Sequence, residues 1–193
     1  MLDVGCGAGY LAEHLTRHMG CVVVGVEQNA QLAEIARRAC GTVHERNLED
    51  EGLSNIPGEY SAIFFGDVIE HVRNAQQLLE QAADLLEPDG RIIVSTPNFA
   101  HIKNRIRVLL GSFEYRDAGL LDRTHVHFYT RKTLFDLLAK SGFKVTRIDY
   151  TTGIMDLSST AHHFLYMCAR IHPKLFAYQF IIAATRTGTS SGA

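Results

Sequence analysis

Leu2-Asp3-Val4-Gly5-Cys6-Gly7-Ala8-Gly9 is a short apolar run that breaks into three glycines at alternate positions. Glycine accepts positive φ and carries no Cβ. The stretch therefore reads as a strand, a tight loop whose backbone can approach a ligand, and the start of a helix. After the loop, Leu11, Leu15 and Met19 recur at helical spacing as far as Gly20. Cys21 to Val26 is a nearly all-apolar, valine-rich run, the pattern of a strand covered on both faces. Asn29 to Cys40 then repeats apolar positions at Leu32, Ile35, Ala36 and Ala39 before Gly41, so a second strand-helix unit follows the first.

The alternation continues. Thr42 to Glu45 and Tyr60 to Phe65 read as the third and fourth strands, with Pro57-Gly58 marking a turn between them. A helix over Ala75 to Leu86, a Pro88-Asp89-Gly90 turn and a strand over Arg91 to Ser95 come next. Thr130 to Lys140 is a capped helix, and Ser158 to Ile171 is another, with Phe164, Leu165, Cys168 and Ile171 on one side and Pro173 beyond its end. Phe143 to Tyr150 and Ala177 to Ala184 are the last two strands. Helices of this length between strands imply right-handed crossovers and a doubly wound α/β sheet of seven strands, mostly parallel, with an antiparallel last strand. Ligands of such sheets bind outside the carboxyl ends of the strands. Candidate site residues therefore follow Val4, Val26, Glu45, Phe65 and Ser95.

Bulk properties agree with one domain. The 193 residues are 46% hydrophobic and 21% charged, with a formal net charge of -2, so nothing marks the chain as disordered or as a nucleic-acid partner. Cys6, Cys21, Cys40 and Cys168 form no C-x-x-C pair, which leaves no zinc or redox motif and fits reduced thiols. The sequence has no signal-peptide pattern at Met1 and no apolar stretch of the roughly 18 residues that a membrane span needs. A soluble, cytoplasmic protein is expected, with one domain over residues 1–186 and a frayed tail from Thr187 to Ala193.

A glycine loop of this kind also serves dinucleotide-binding enzymes, where pyrophosphate sits at the helix N-terminus. Asp3, two residues before the first glycine, argues against that use. A carboxylate there can order the loop and meet a ligand's ammonium group, whereas it repels pyrophosphate. Glu27, at the end of the second strand, stands where a carboxylate accepts hydrogen bonds from both hydroxyls of a ribose.

With Val24-Gly25-Val26-Glu27, the glycine stretch resembles the first two motifs of class I S-adenosylmethionine-dependent methyltransferases. The resemblance extends through Phe64-Phe65-Gly66-Asp67-Val68-Ile69-Glu70-His71-Val72 and Leu86-Glu87-Pro88-Asp89-Gly90-Arg91, and so covers most of the chain. It implies a Rossmann-like fold, S-adenosylmethionine as cofactor, and methyl transfer to a small-molecule acceptor, on oxygen, of quinone-precursor or glycan- or lipid-linked type. It also implies a cofactor site built from Asp3, Gly5, Cys6, Gly7, Gly9, Glu27, Gln28, Asn47, Leu48, Asp67 and Val68. Asn47 takes the place where the family often has an aspartate on the adenine amino group; its carbonyl can accept the same bond without charge. Members usually have a helical segment before the first strand that covers cofactor and acceptor, and the expectation here is a chain without it. Two rivals stand beside this reading: a nicotinamide-dependent oxidoreductase, and a non-catalytic module that keeps the cofactor fold.

Methyl transfer is an in-line displacement that runs largely on positioning; a base is needed only where the acceptor must lose a proton. His71 is one candidate base, or a brace for the next helix. In Asp122-Arg123-Thr124-His125-Val126-His127-Phe128-Tyr129, an extended chain puts His125 and His127 on one side and Phe128 on the other, so each histidine is a candidate base or a loop brace. Asp67, Glu70 and His71 can gather around a divalent ion such as magnesium, which some ubiquinone-pathway O-methyltransferases with a similar stretch are held to use. Many methyltransferases carry the Glu-His pair without metal. Between these segments, Ile102, Ile106, Leu109 and Leu110 alternate with Lys103, Arg105 and Arg107. The stretch 101–110 reads as a surface helix covering the sheet or pocket, or as a peripheral contact with anionic lipid or substrate.

Overall fold

The computed structural model describes residues 1–153 and 159–188. Seven strands, β1 (Leu2–Val4), β2 (Val24–Glu27), β3 (Thr42–Glu45), β4 (Tyr60–Gly66), β5 (Leu86–Pro97), β6 (Phe143–Thr151) and β7 (Gln179–Arg186), form one sheet in the order β3-β2-β1-β4-β5-β7-β6. The first five run parallel to one another; β7 is antiparallel to both β5 and β6. Helices α1 (Tyr10–Met19), α2 (Ala30–Ala36), α3 (Ala75–Asp84), α4 (Ile102–Leu109), α5 (Arg131–Lys140), α6 (Ser159–Ile171) and α7 (Pro173–Phe176) complete the fold. Among the described residues no helix is long and apolar enough to cross a membrane.

The core lies on the sheet. Leu2, Val4, Val26, Ile63, Phe65, Ile92, Val94, Phe180 and Ile182 are buried in one cluster with Leu78 and Leu79 of α3 and Leu134 and Leu138 of α5. A smaller cluster under α1 and α2 holds Cys6, Ala12, Leu15, Ala33, Ala36, Cys40 and Val43. Chain order reverses at β1, which has β2 on one side and β4 on the other. Loops leaving β1 and β4 therefore part in opposite directions and open a crevice.

Several boundaries depart from the sequence reading. β2 starts at Val24, because Cys21 still closes the end of α1 by donating to the Leu15 carbonyl at 3.4 Å. α2 stops at Ala36 and tightens, with Arg38 donating to Ile35 and Ala39 to Ala36 across three residues. β5 starts early: Leu86 pairs with Tyr60, the register then slips, and pairing resumes at Arg91 with Ala62, so Pro88-Asp89-Gly90 turns within the strand. The buried faces of α1 and α2 also differ from the expected stripes. Ala12 and Leu15, and Ala33 and Ala36, face inward, whereas Leu11, Met19, Leu32 and Ile35 are exposed. Close approach explains part of the choice: a Cβ on Gly9 would lie 3.0 Å from the Ala36 Cα, so only a small side chain fits where the start of α1 meets α2.

Helix α6 keeps only part of its expected apolar side. Leu165 and Cys168 are half-buried, but Phe164 and Ile171 are exposed, and the fully buried residue is Ala169, outside the expected side. Ser158, at its expected start, lies outside the described residues, as do residues 189–193 of the expected tail. Thr187 is no part of a tail, since its N–H and hydroxyl both donate to the Gly142 carbonyl, at 2.8 and 2.9 Å.

Candidate active site

A cleft of about 480 Å³ opens at the chain-order reversal, within the ordinary size range of small-molecule sites. Each wall follows a strand. Gly5 follows β1, Gln28 follows β2 beside its last residue Glu27, Asn47, Leu48 and Glu49 follow β3, and Asp67, Val68, His71 and Val72 follow β4; Thr124 comes from the loop before α5.

The glycine loop is fixed by its neighbours. Gly5 and Cys6 both donate to the Val26 carbonyl, at 2.8 and 3.0 Å. Gly5, Gly7 and Gly9 have φ of 71°, 53° and 82°, and a Cβ on Gly5 would sit 2.7 Å from Val68 Cγ2. Glu27 binds loop to strand, its Oε2 accepting from Gly7 N–H at 2.9 Å and its Oε1 from Asn29 N–H at 2.8 Å. Each oxygen keeps a lone pair for another donor. Asp3 is 4% exposed, and its Oδ2 has no hydrogen-bond partner among the described residues. Burial, with the Glu27 carboxylate second, pushes its carboxyl up to about 7. A buried orphan acceptor of this kind suits a cationic N–H donor.

Of the expected cofactor residues, Gly5, Glu27, Gln28, Asn47, Leu48, Asp67 and Val68 line the cleft. Asp3, Cys6, Gly7 and Gly9 do not; they build its support. Cys6 turns into the small core beside Cys40, and Gly9 is the N-cap of α1. Asn47 is partly engaged: its Oδ1 accepts from Glu49 N–H at 2.9 Å and its Nδ2 donates to Asp50 at 2.8 Å, which leaves one carbonyl lone pair. Asp67 has φ of 55°, and its Oδ1 accepts from Ser95 Oγ at 3.1 Å and from Gln179 Nε2 of β7.

The three histidines separate. His71 lines the cleft, and its Nδ1 lies 3.1 Å from Thr124 Oγ1 and 3.3 Å from the Thr124 carbonyl. The Thr124 hydroxyl hydrogen is already given to Asp122 Oδ1 at 2.6 Å, so both atoms facing Nδ1 are acceptors. Nδ1 must therefore carry the proton, and Nε2 is left as the basic nitrogen. His125 rests edge-on against His71, with ring centroids 4.8 Å apart, and burial, with His71 second, lowers its pKa. His127 points elsewhere, its Nε2 bound to the Arg73 carbonyl at 2.9 Å. The loop is not extended there, because Val126 and His127 both donate to the Glu70 carbonyl, at 2.9 and 3.0 Å.

Glu70 is buried, with Oε2 accepting from Thr96 at 3.1 Å and Oε1 without a partner among the described residues; burial is the main cause that pushes it up to about 8. One ligand atom each from Glu70, His71 and His125 falls within 4.8 Å of the others. Asp67, expected in such a group, is not part of it. Two imidazoles and one carboxylate suit a borderline transition ion better than magnesium, which prefers oxygen. Sequence reasoning gave no role to Thr124, Asp122 or Gln179, and marked Thr96 only by its position after Ser95. Their link to the cleft is set by packing, and the only other sequence signal was the polar density of residues 122–129.

The sequence profile of a family described as a methyltransferase domain matches residues 1–148. A ubiquinone biosynthesis O-methyltransferase of Coxiella burnetii is 26% identical over 167 residues, which cover 71% of this chain and 70% of that protein. One of Cereibacter sphaeroides is 31% identical over 148 residues, 74% of this chain and 59% of that one. Among solved structures, a SAM-dependent methyltransferase from Archaeoglobus fulgidus superposes with a TM-score of 0.67 at 18% identity, over 95% of this chain and 84% of that chain. The magnesium protoporphyrin IX methyltransferase of Synechocystis, with bound SAH, gives 0.58 at 20% identity, over 96% and 73%.

Proposed function

The chain belongs to the S-adenosylmethionine-dependent methyltransferases, and from that premise we propose that it methylates a phenolic hydroxyl of a small-molecule acceptor. When bound, S-adenosylmethionine supplies the methyl group from its sulfonium. Glu27 would accept from its ribose, Asn47 and Leu48 would meet its adenine, and Gly5 of the glycine loop, with Asp3 buried behind it, would face its amino-acid end. Asp67 and Val68 would form the wall nearest the acceptor.

The observation that carries the reading is the contact of His71 Nδ1 with Thr124, whose hydroxyl is itself given to Asp122. With Nδ1–H held by Thr124, which donates in turn to Asp122, the free Nε2 can take the acceptor's hydroxyl proton. An imidazole base is matched to a phenol, whose pKa is about 10, far better than to an aliphatic alcohol several units higher. That favours a quinone-precursor type of acceptor over a sugar hydroxyl. The O-methyltransferase names of the relatives support it too.

The test is transfer of labelled methyl from S-adenosylmethionine to a panel of catechols, simple phenols and aliphatic alcohols. Turnover on phenols and its loss in His71→Gln are expected. Turnover confined to the alcohols, undiminished activity of the variant, or cofactor binding with no turnover on any acceptor would each sink the proposal. The last outcome would mark a non-catalytic module.

A second reading follows from the Glu70, His71 and His125 group, which could hold a divalent transition ion that polarises the acceptor oxygen. Calorimetric titration with manganese or zinc separates the two readings. Stoichiometric binding that His125→Ala abolishes supports the ion, and no binding leaves His71 as the base.

A further inference from the structure

Helix α4 is inside out. Its one fully buried side chain is Asn104, whose Nδ2 donates to the Phe99 carbonyl at 3.1 Å. Arg105 Nε donates to the Ala100 carbonyl at 2.6 Å and His101 caps the first turn, so polar groups anchor the helix. Apart from half-buried Ile102, its apolar residues face solvent. Leu109 and the following Leu110 are 84% and 78% exposed, and Ile106 and Val108 are half exposed. Of the two readings the sequence left for 101–110, a helix covering the sheet or pocket and a peripheral contact, the exposure of Ile106, Leu109 and Leu110 favours the second.

Charge is arranged around this ridge with one sign. From Asn98 to Phe113 the sequence has Lys103, Arg105 and Arg107 and no Asp or Glu. Beside α4, Arg105, Arg131, His172 and Lys174 line a hollow of about 460 Å³ that has no acidic wall. A second hollow of about 550 Å³, walled by Phe99, Ala100, Val108 and Leu109 among others, shares Arg105 with the first. Among the described residues, none of Lys103, Arg105, Arg107, Arg131 and Lys174 lies within ion-pair distance of a carboxylate.

We propose that this face, α4 together with the start of α7, docks on the surface of a bilayer that contains anionic phospholipid. Largely exposed leucines ringed by cations without a carboxylate partner are the pattern of an element lying in the headgroup boundary, with side chains in the acyl region and charges at the phosphates. The paired hollows match one amphiphile, phosphate against Arg105, Arg131 and Lys174 and chain against Phe99 and Val108. A second copy of this chain fits less well, because the chain is net negative by only two charges and offers no complementary excess. A bare polyanion would leave Leu109 and Leu110 in water. The surface is separate from the cleft and does not depend on which acceptor the cleft takes.

The experiment is co-sedimentation of the full chain with vesicles of phosphatidylcholine alone or of equal parts phosphatidylcholine and phosphatidylglycerol. Binding to the mixed vesicles is expected to exceed binding to the neutral ones by at least about tenfold and to weaken at about 0.5 M salt. Leu109→Glu with Leu110→Glu, and separately Arg105→Glu with Lys174→Glu, should each lower it by roughly tenfold or more. Retention of the cofactor-induced rise in Tm by these variants shows that they fold. Equal binding to both vesicle types, undiminished binding of the leucine variant, no sedimentation at all, or a wild-type dimer that the leucine variant splits would each overturn the proposal.

Discussion

Thr124 has one hydroxyl hydrogen, and Asp122 takes it. That single allocation sets the tautomer of His71 in the candidate site and gives two testable expectations. His71→Gln should lower kcat by roughly 10²- to 10⁴-fold, the usual contribution of a general base, with cofactor affinity unchanged by calorimetry. Thr124→Val removes the acceptor side chain but leaves the ring in place; it should shift the acid limb of the kcat–pH profile while KM for the cofactor stays constant. Asp3 supplies another. A carboxyl whose pKa rises from 3.8 to about 7 on folding binds more protons in the native state between those values, so its contribution to stability falls as pH rises through that window. Glu70, raised to about 8, acts in the same direction. Urea denaturation of the cofactor-free protein should therefore show stability declining from about pH 6.5 to pH 8, above the range in which the lowered histidines act the other way. Asp3→Asn should flatten part of that slope, and an unchanged slope would count against the burial of Asp3 as its cause.

Element by element, the caps carry the most specific chemistry. Thr130 and Thr133 form a reciprocal box at the start of α5, Thr130 Oγ1 accepting from Thr133 N–H at 3.3 Å and Thr133 Oγ1 from Thr130 N–H at 2.9 Å. Thr130→Ala should cost about 1 kcal/mol by denaturant unfolding. At α4 the cap is a histidine. His101 Nδ1 accepts from Lys103 N–H at 3.2 Å, and burial, aided by the Lys103 charge, lowers its pKa to about 4. A neutral cap stabilises the helix above the ordinary histidine pKa of 6.5 and loses that effect as pH falls toward 4. Hydrogen exchange should therefore show α4 opening between those pH values while α5 stays protected. The capped start of α5 was readable in the sequence, because Thr130 precedes an apolar periodic run. The orientation of α4 was not, since its apolar spacing is the same whether the stripe faces the sheet or the solvent.

For the whole molecule, β7 is the element that ties the sheet together. It enters between β5 and β6, and Phe180 within it is fully buried. Phe180→Ala should lose about 3–5 kcal/mol in urea unfolding. S-adenosylhomocysteine at a hundred times its Kd should raise stability by about 2.7 kcal/mol, because only the folded chain has the cleft. The strand-helix alternation, the glycine loop with Glu27, and the rim residues after β1 to β4 were all determined by the sequence, because periodicity and glycine's backbone freedom act over a few neighbouring residues. Three matters were decided only by tertiary structure: the insertion of β7, the meeting of Asp122 and Thr124 with His71, and the outward turn of Leu109 and Leu110. Each depends on residues far apart in the chain packing against one another, and local pattern carries no record of which distant surface a side chain will meet.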